Sequence, residues 1–404
     1  MKKRILVVLS YPIKTPQHGG QKRAAAVVEE YERSGNVVFP QAIYMDDFYA
    51  EALSTDIAIE WDQYKNRLYA GYISDLILGD AFLESEISIR KFIQNVRTFS
   101  PDIVHFEQMF LYDSVKKILH DIGWKGKVVY GSQNIEYELK QSILLSNGSD
   151  LNADDTQKIV DQVKLLELKI VHDADLVLAC TESDAAKLKE MGAGQVVLAP
   201  NGISQGILNE SEAANWKILF SKQYVSKLIV FVGSAHPPNL TGFMRIIGMK
   251  VGFLEADTRL LLLGGVSDLI MGEVNLSPNY LKTIFLERVV PMGRVSDDAL
   301  SALLELAHMV ILPITEGGGS NLKTAEAILA DKFIVGTEKA FHSYEAYCHL
   351  PNNIITDDPE AFRFAIDSQL RLKKQKRNEE ERTLSRGVLW ENTLRVMVTK
   401  VEGL

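Results

Sequence analysis

A lysine and a glutamate, Lys323 and Glu326, follow a glycine-rich run in the stretch PITEGGGSNLKTAEAILADKFIVGT, residues 313–337. The apolar residues before the glycines predict a strand, and the residues from about Leu322 predict a helix. Glycines let backbone N–H groups approach a ligand, and a helix N-terminus adds unpaired donors and partial positive charge. Together with the Lys323 ammonium, these features predict a site for a diphosphate.

Glu326 lies one turn further along the predicted helix. A carboxylate there would repel a phosphate, but it can accept two hydrogen bonds from hydroxyls such as a ribose diol. The loop is therefore predicted to offer adjacent subsites for phosphate and sugar. The alternative is a flexible turn with a Lys–Glu pair on its surface. Such a turn needs one glycine at most, so the three glycines favour a ligand site.

A second glycine pair, Gly19 and Gly20, follows the first apolar run of the chain. A helix is predicted from about Gln21, with Lys22 and Arg23 on its first turn. Cations oppose the dipole at a helix N-terminus, so an anion is expected nearby. The alternative is an ordinary strand-to-helix loop with solvated charges. Two such loops, one per predicted domain, indicate a ligand held in a cleft between the domains.

Short apolar runs recur along the chain, with amphipathic patterns such as Gln157–His172 and Asp297–Ala307 between them. Runs rich in Val, Ile and Leu are typical of strands buried on both faces of a parallel sheet. The fold class is therefore α/β, and the number of strands favours two doubly wound domains. The predicted strands are Ile5–Leu9, Ile103–Phe106, Val128–Tyr130, Leu176–Ala179, Val196–Ala199, Leu228–Val232, Arg259–Leu263, Val289–Val290, Met309–Leu312 and Phe333–Val335.

The domain boundary is predicted between Gly202 and Lys222. Residues 200–202, Pro-Asn-Gly, end a strand with turn residues, and residues 203–217 have the composition of a polar linker. The predicted domains are residues 1–205 and 216–385.

An aromatic-rich segment, Tyr44–Tyr72, is predicted to be an insertion that covers one end of the first sheet. Local packing of a helical excursion is favoured, and an acceptor-binding or membrane-facing surface is the alternative.

Composition narrows the class of protein. The 404 residues carry a net charge of −9, which argues against a nucleic-acid partner. The two cysteines, Cys180 and Cys348, form neither metal-site spacing nor a disulfide framework, which fits a reducing cytosol. The first apolar run is too short for a signal peptide, and no apolar stretch approaches the about 18 residues of a membrane span.

Eight motifs, in the correct order, resemble retaining glycosyltransferases of the bacterial family 4 type. Those of the first half are HGGQKRA, PDIVHFEQ, HDADLVLACTESDAAKL and APNGIS. Those of the second half are FVGSAHPPNLTGF, GRVSDDALSALLELAHMVILP, GGGSNLKTAEAILADKFIVGT and the Trp-Glu-Asn at 390–392. The resemblance covers nearly the whole chain. It implies the GT-B fold, with a C-terminal helix (386–404) packing back on the first, acceptor-side domain.

The resemblance also implies a nucleotide-sugar donor, a UDP- or GDP-sugar, held mostly by the second domain. Lys323 would contact the diphosphate and Glu326 the ribose, while Gly293 and Arg294 would lie near the base. His105, together with Glu107, Gln133, Asn134 and Glu136, would face the sugar and acceptor. The predicted catalytic residues are Lys323, Glu326, His105 and Glu316. The predicted donor-binding residues are Gly19, Gly20, Gly233, Asn239, Gly293, Arg294, Gly318, Gly319, Ser320, Asn321, Leu322, Lys323 and Glu326.

The chain departs from the family pattern at the first of two glutamates that many members carry eight residues apart. Counting back from Glu326 reaches Gly318, and Glu316 is the candidate substitute. A second departure lies in the loop 233–239, which has no Arg or Lys for the diphosphate; His236 and Asn239 are the candidates there. A third is Gln133, which replaces a histidine near the donor sugar.

No metal site and no cofactor other than the nucleotide sugar are predicted. Asp173 and Asp175 match the Asp-x-Asp signature of metal-dependent glycosyltransferases, but they precede a predicted strand, whereas that signature follows one. They are interpreted as a helix-to-strand turn. Hydrolase and P-loop motifs do not occur in the sequence.

The leading hypothesis is a cytoplasmic glycosyltransferase that builds a surface polysaccharide, glycolipid or glycoprotein. Its acceptor would be a glycan or a lipid- or protein-linked sugar, and a lipid-linked acceptor would bring the protein to the inner face of the membrane. Two alternatives stay open: a degenerate GT-B protein serving as a partner subunit, and a sugar-nucleotide 2-epimerase. The sequence specifies no oligomeric state.

Overall fold

The computed structural model describes residues 2–68, 73–146, 152–316, 321–373 and 375–404. The chain forms two compact units. Unit 1 comprises Met1–Asn201 together with Thr393–Leu404, and unit 2 comprises Gly202–Asn392. Within the described residues, no helix has the length and apolar character needed to cross a membrane.

Unit 1 is built on a seven-stranded parallel sheet in the order β3-β2-β1-β4-β5-β6-β7. Its strands are β1 (Arg4–Leu9), β2 (Val37–Met45), β3 (Ile57–Ile59), β4 (Ile103–Glu107), β5 (Lys127–Ser132), β6 (Leu176–Ala179) and β7 (Val196–Leu198). Its helices are α1 (Gly19–Arg33), α2 (Ser74–Glu84), α3 (Glu86–Phe99), α4 (Tyr112–Asp121), α5 (Glu136–Ser146), α6 (Ala153–Asp173), α7 (Glu182–Glu190) and α17 (Arg395–Glu402).

Unit 2 is built on a six-stranded parallel sheet in the order β10-β9-β8-β11-β12-β13. Its strands are β8 (Lys227–Val232), β9 (Thr258–Leu263), β10 (Val289–Gly293), β11 (Met309–Leu312), β12 (Phe333–Gly336) and β13 (Asn353–Ile355). Its helices are α8 (Glu210–Lys222), α9 (Pro237–Ile246), α10 (Val266–Leu276), α11 (Asn279–Arg288), α12 (Asp297–Leu306), α13 (Leu322–Leu329), α14 (Pro359–Leu370) and α15 (Glu379–Arg386), while α16 (Trp390–Thr393) crosses into unit 1.

Both sheets confirm the α/β class with parallel strands. The central strands are buried on both faces; in β1, for example, every residue from Ile5 to Leu9 is at most 1% exposed. This explains why they appear in the sequence as unbroken apolar runs. Each of the ten predicted strands corresponds to a strand of the structure. Strands β2, β3 and β13 were not predicted from the sequence.

The segment Tyr44–Tyr72 differs from its favoured interpretation as a helical excursion. It contains the end of β2, the whole of β3 and three single-turn 3-10 helices, and β3 pairs in parallel with β2 at the edge of the sheet. Trp61 and Tyr64 are buried in the core of unit 1. Tyr69 and Tyr72, which belong to the same aromatic set, lie outside the described residues.

The predicted polar linker is also shorter than expected. Its second half belongs to α8, which begins at Glu210 behind the N-cap Asn209. Trp216 and Phe220 of this helix pack into an apolar cluster with residues of β8, β9 and α12. The linker assignment was wrong because the first turn of α8 carries Glu210 and Glu212, whereas Ile218, Leu219 and Phe220 lie beyond the segment interpreted as linker.

Unit 1 is completed by the last residues of the chain. Helix α17 packs against β7 and α1, and its Met397 and Val401 are fully buried. The Asn36 side chain donates a hydrogen bond of 2.9 Å to Glu402 Oε1. Unit 1 is therefore assembled from two segments that are far apart in the sequence.

Gly242 provides a test of packing in unit 2. A β-carbon at Gly242 would lie 2.1 Å from the Pro313 carbonyl oxygen, which is backbone and cannot rotate away. We expect Gly242→Ala to destabilise the protein by about 2–3 kcal/mol through overpacking. Gly272 also lies in a helix, but a β-carbon there would meet nothing within 4 Å. Gly272→Ala should therefore stabilise by about 0.5–1 kcal/mol. Chemical denaturation of both variants measures the contrast, and equal effects would contradict it.

Candidate functional site

Several of the predicted site residues follow the strands at which the strand order of each sheet reverses. In unit 2 the chain proceeds from β8 outward to β9 and β10, and then returns to the other side of β8 with β11. In unit 1 the same reversal occurs between β1 and β4. Open α/β sheets bind ligands outside the carboxyl ends of the strands at this point.

Lys323 and Asn239 meet at the reversal point of unit 2. The Lys323 ammonium donates a hydrogen bond of 2.5 Å to Asn239 Oδ1 across 84 residues of sequence. Asn239 is buried, and its amide nitrogen donates to the Ser234 carbonyl at 3.0 Å. The loop after β8 therefore orients the amide that holds the lysine. Two residues predicted independently, Lys323 and Asn239, form one group in the structure.

Burial lowers the pKa of Lys323 to about 8, although the nearby Glu326 carboxylate opposes the shift. This lysine therefore loses its proton far more readily than a solvated one. A half-buried cation with a strongly perturbed pKa, next to a strand-end loop, is a candidate functional residue. An incoming anion would stabilise its charged form.

Helix α13, which carries Lys323 and Glu326, is fixed along its inner side. The buried Thr324 hydroxyl donates to the Ala340 carbonyl at 2.6 Å. Asn321, the N-cap residue, uses its amide to donate to the Lys339 carbonyl at 3.2 Å instead of capping the helix. The Asn321 side chain therefore does not cap the first turn of α13, where the Thr324 N–H donates to the Asn321 carbonyl at 2.8 Å. The Leu322 and Lys323 N–H groups of that turn are the candidate donors to a ligand. Glu326 and Leu322 are half-buried.

Glycines form the strand ends next to this helix. Gly264, with φ +87°, donates its N–H to the Gly293 carbonyl at 2.6 Å, and the Val266 N–H donates to the Gly233 carbonyl at 3.0 Å. A β-carbon at Gly264 would lie 2.3 Å from the Gly233 carbonyl oxygen. The ends of β8, β9 and β10 thus approach one another closely. Gly233 and Gly293 were predicted from the sequence as site residues, whereas Gly264 and its neighbour Gly265 were not. A glycine pair that directly follows an apolar run could have identified Gly264 and Gly265.

The other predicted residues of unit 2 are placed less centrally. Arg294 and Glu316 are exposed to solvent. Gly318, Gly319 and Ser320, which were predicted to line the phosphates and the donor sugar, lie outside the described residues. Their roles and those of Arg294 and Glu316 stay predictions.

In unit 1, Arg23 does not have the environment predicted for it. From the sequence, Arg23 was predicted to lie near a bound anion at the N-terminus of α1. Instead its guanidinium is buried and forms an ion pair of 2.8 Å with Glu107 at the end of β4. The same guanidinium donates to the Ala199 carbonyl at 2.8 Å and to Asn201 Oδ1 at 2.9 Å. The anion that Arg23 requires is supplied by the protein itself, whereas Lys22 is exposed.

His105 is also enclosed in this network. Its Nδ1 lies 2.9 Å from the Tyr31 hydroxyl, and its Nε2 lies 3.0 Å from Glu107 Oε2. A β-carbon at Gly131 would lie 2.2 Å from Glu107 Oε2, so only glycine fits beside the pair. The imidazole is 0% exposed. A direct contact of His105 with sugar or acceptor, as predicted, would require this network to open.

The network reaches the glycine pair of α1 through Gln133 and Tyr11. The Gln133 amide donates to the Tyr11 hydroxyl at 2.7 Å and to Glu107 Oε1 at 3.2 Å. A β-carbon at Gly20 would lie 2.8 Å from the Tyr11 hydroxyl. The helix begins at Gly19, two residues before the predicted start, because His18 and Gln21 form a capping box. Gly19 and Gly20 are therefore the first residues of the helix.

Glutamate 107 is ionised at neutral pH despite its burial. Burial alone would raise the pKa of Glu107, but the charge of Arg23 and the hydrogen bonds from His105 and Gln133 outweigh this and hold the pKa below its ordinary value. Glu136 behaves oppositely, because burial raises its pKa to about 7. The two carboxyl groups therefore differ in charge at mildly acidic pH.

The Asp173-Ala174-Asp175 segment is a helix-to-strand turn, as predicted. It joins the end of α6 to the start of β6. Asp173 accepts hydrogen bonds from the Tyr112 hydroxyl and from Lys116, and Asp175 accepts one from Lys127. Among the described residues, no group of three His, Cys, Asp or Glu side chains could hold a metal ion.

Comparisons with solved structures cover the whole chain at low sequence identity. Sucrose-phosphate synthase from Thermosynechococcus elongatus is similar with a TM-score of 0.69 and 14% identity, over 99% of this chain and 98% of that one. Anabaena HepE in complex with UDP and glucose is similar with a TM-score of 0.66 and 13% identity, over 100% of both chains. The catalytic domain of starch synthase IV from Arabidopsis thaliana, bound to ADP and acarbose, is similar with a TM-score of 0.64 and 13% identity, over 100% of this chain and 98% of that one.

These likenesses, together with the two parallel sheets, decide the fold. The chain has the GT-B fold. No protein-family model and no curated protein sequence matches the chain. The GT-B assignment therefore rests on structure, and activity is a separate question for this GT-B protein.

Proposed function

We propose that this GT-B protein is a retaining glycosyltransferase of the family 4 type that moves a sugar from a nucleotide-sugar donor to an acceptor. The observation that carries the proposal is the Lys323 group. A half-buried ammonium held by Asn239 lies on the first turn of α13, which has no side-chain cap, at the strand reversal of unit 2. That arrangement suits a diphosphate.

In the proposed reaction, the bond between the donor sugar and the diphosphate breaks as the acceptor hydroxyl attaches to the sugar. Lys323 and the first N–H groups of α13 would stabilise the charge that develops on the departing diphosphate. Glu326, one turn further along, would accept hydrogen bonds from the ribose hydroxyls. These groups supply the charge stabilisation without a metal ion.

The solved structures support the choice of ligand. HepE was crystallised with UDP and glucose, and starch synthase IV with ADP and acarbose. For this chain we propose a UDP- or GDP-hexose as donor. We further propose a glycan or a lipid- or protein-linked acceptor for surface polysaccharide or glycoconjugate synthesis in the cytoplasm.

The proposal is tested by thermal unfolding in the presence of UDP, GDP, ADP or dTDP. A ligand at a hundred times its Kd adds about 2.7 kcal/mol to the free energy of unfolding. We expect one of the four to stabilise the protein. No stabilisation by any nucleotide, or by its sugar conjugates, would refute the proposal and support the role of partner subunit. A product of unchanged mass, formed from the donor alone, would instead indicate the epimerase.

The pKa of Lys323 predicts how nucleotide affinity depends on pH. In the free protein this pKa is about 8, and a bound diphosphate must raise it. Affinity should therefore stay nearly constant from the phosphate pKa of about 6 up to pH 8. Above pH 8 it should fall by up to tenfold per pH unit, because each binding event must then take up a proton. Calorimetric titration between pH 6.5 and 9.5 measures this.

Lys323→Arg provides the control for the pH profile. Arginine stays charged throughout this range, so its profile should remain flat above pH 8 whatever its absolute affinity. A wild-type profile as flat as that of the arginine variant would exclude Lys323 as the titrating group.

A further inference from the structure

Arg377 is a buried cation that the proposed reaction does not use. It precedes α15, 54 residues after Lys323 in the sequence, and its side chain is 1% exposed. Burial lowers the pKa of Arg377, although Asp331 and Glu381 oppose the shift. A guanidinium in such a position needs a specific partner.

Its partners lie at the C-terminal end of α13. Nη1 donates to the Ile328 carbonyl at 2.6 Å and to the Ser385 hydroxyl at 2.7 Å. Nε lies 3.1 Å from Asp331 Oδ1, just beyond the helix, where the backbone of Asp331 is left-handed with φ +51°. A cation at this end also interacts favourably with the helix dipole. Arg377 therefore binds the last turn of the helix whose first turn carries Lys323.

The segment that presents Arg377 is itself fixed. The Asn352 side-chain amide forms two hydrogen bonds with the backbone of Gln375, in which Nδ2 donates to the carbonyl and Oδ1 accepts from the N–H, each at 2.9 Å. Asn378 and Glu381 form a capping box that starts α15. The guanidinium is thus held between these two anchors, one on either side of it in the sequence.

Stability alone is a weak explanation for this arrangement. Nε and Nη2 have no aligned hydrogen-bond partner among the described residues. A buried charge that is incompletely satisfied is often no more stabilising than apolar side chains of the same volume. A guanidinium instead provides directional hydrogen bonds, because its planar group presents N–H donors in a rigid geometry and so fixes the groups that it binds.

Helix α13 transmits that contact over a short distance. Its eight residues span about 12 Å, and a helix this short moves as a rigid rod. Its inner side is held at Thr324, and its far end at Ile328. Ala325, Ala327 and Ile328 of this helix also pack in the core. Removing the Arg377 contacts would therefore take away only the polar attachment of the far end, which would let the rod tilt slightly about Thr324, the neighbour of Lys323.

We propose that Arg377 is a positioning residue that fixes the C-terminal end of α13 and thereby aims Lys323 and Glu326 at the ligand. The inference rests on the proposed function for its ligand, a nucleoside diphosphate. The positioning itself is a property of the free protein.

The first experiment measures UDP binding by calorimetry at a temperature where every variant is folded. We expect Arg377→Met and Arg377→Lys each to weaken UDP binding about tenfold, since small misplacements of a site are costly. The matched control is Arg371→Met, because Arg371 is exposed and forms surface ion pairs with Asp367 and Glu255. The Kd of the Arg371→Met variant for UDP should equal that of wild type. Folded Arg377 variants with lower Tm but wild-type Kd would overturn the proposal.

The second experiment does not depend on UDP. The titration of Lys323 is followed by NMR in protein labelled at lysine 13Cε, with its resonance assigned by its loss in Lys323→Met. In wild type we expect a midpoint near the pKa of about 8. In both Arg377 variants the midpoint should rise as the ammonium becomes better solvated.

Arg377→Lys separates position from charge, because it keeps the positive charge but loses the fork. A wild-type midpoint in this variant would overturn the proposal. If Arg377→Met does not fold, Ser385→Ala removes one partner of the guanidinium and should shift the midpoint in the same direction by less. If wild type does not bind UDP, the binding experiment is repeated with whichever of GDP, ADP or dTDP stabilises it. If none of the four binds, the proposed function fails, and the NMR titration still decides the inference.

Discussion

Replacing Lys323 by methionine is expected to weaken nucleoside-diphosphate binding at least about a hundredfold without destabilising the protein. The lost affinity corresponds to one or two hydrogen bonds from a charged donor, at about 1.5–3 kcal/mol each. Stability should be maintained because the half-buried position of the ammonium lowers its pKa to about 8. Keeping it charged at pH 7 costs on the order of 3 kcal/mol, which offsets the hydrogen bond lost to Asn239. Calorimetry and chemical denaturation of the same samples measure both effects.

Lys332→Met is the matched control for this substitution. Lys332 is a largely buried lysine of unit 2 that donates to the Glu305 carbonyl at 2.6 Å. It lies outside the candidate site, so its replacement should lower stability by about 1 kcal/mol and leave nucleotide affinity unchanged. The reverse result, a destabilised Lys323→Met that still binds UDP with wild-type affinity, would make Lys323 a structural residue.

Part of the site formed by Lys323 and Asn239 could be predicted from the sequence. Glycines, a helix start and a lysine are neighbours in the sequence, so their chemistry could be inferred locally. Asn239 was selected because its loop lacks a permanent cation. Its hydrogen bond to Lys323 could not be predicted, because it depends on β8 and β11 being neighbours in the sheet. Arg377 gave no signal at all, since its role depends entirely on tertiary contacts.

Some strands could be predicted from the sequence and others could not. Long apolar runs identified the central strands, because burial on both faces leaves an unbroken pattern. The missed strands β3 and β13 have only three residues each, and every residue of β13 is half-exposed. Strand β2 was missed because its first half is partly exposed and contains a proline. Edge positions relax the requirement for apolar residues, so the pattern disappears where the sheet ends.

The second large effect is expected at Glu107. Glu107→Leu would leave the Arg23 guanidinium buried without its counter-ion, and breaking a buried ion pair typically costs about 3–5 kcal/mol. For a unit of this size we expect Tm to fall by about 10 °C. His105 and Gln133, which also contact Glu107, would lose a partner in the same substitution. Thermal unfolding measures the effect.

A double variant distinguishes the ion pair from simple packing. Arg23→Met combined with Glu107→Leu removes both charges, so it should be more stable than Glu107→Leu alone. The control is Glu84→Leu, because Glu84 pairs with Arg67 on the surface. That change should cost at most about 1 kcal/mol. Additive destabilisation in the double variant would show that the two side chains act independently.

The same network corrects the interpretation of the first glycine loop. Glycines followed by two cations were taken as a single anion site, because sequence spacing alone cannot assign different directions to adjacent side chains. The structure turns Arg23 inward and leaves Lys22 outward. Glu107 lies 84 residues away in the sequence, so the pairing was invisible before the fold was known.

The return of the chain to unit 1 at Thr393–Leu404 has a consequence for synthesis on the ribosome. Residues up to Asn201 emerge first, but Met397 and Val401, which cover β7 and α1, are translated only after the whole of unit 2. At about 5–20 residues per second, the nascent first segment waits for tens of seconds with that surface uncovered. Unit 2 is a continuous segment and can fold as soon as it emerges. The unit that begins the chain is therefore expected to be the last to reach its native state.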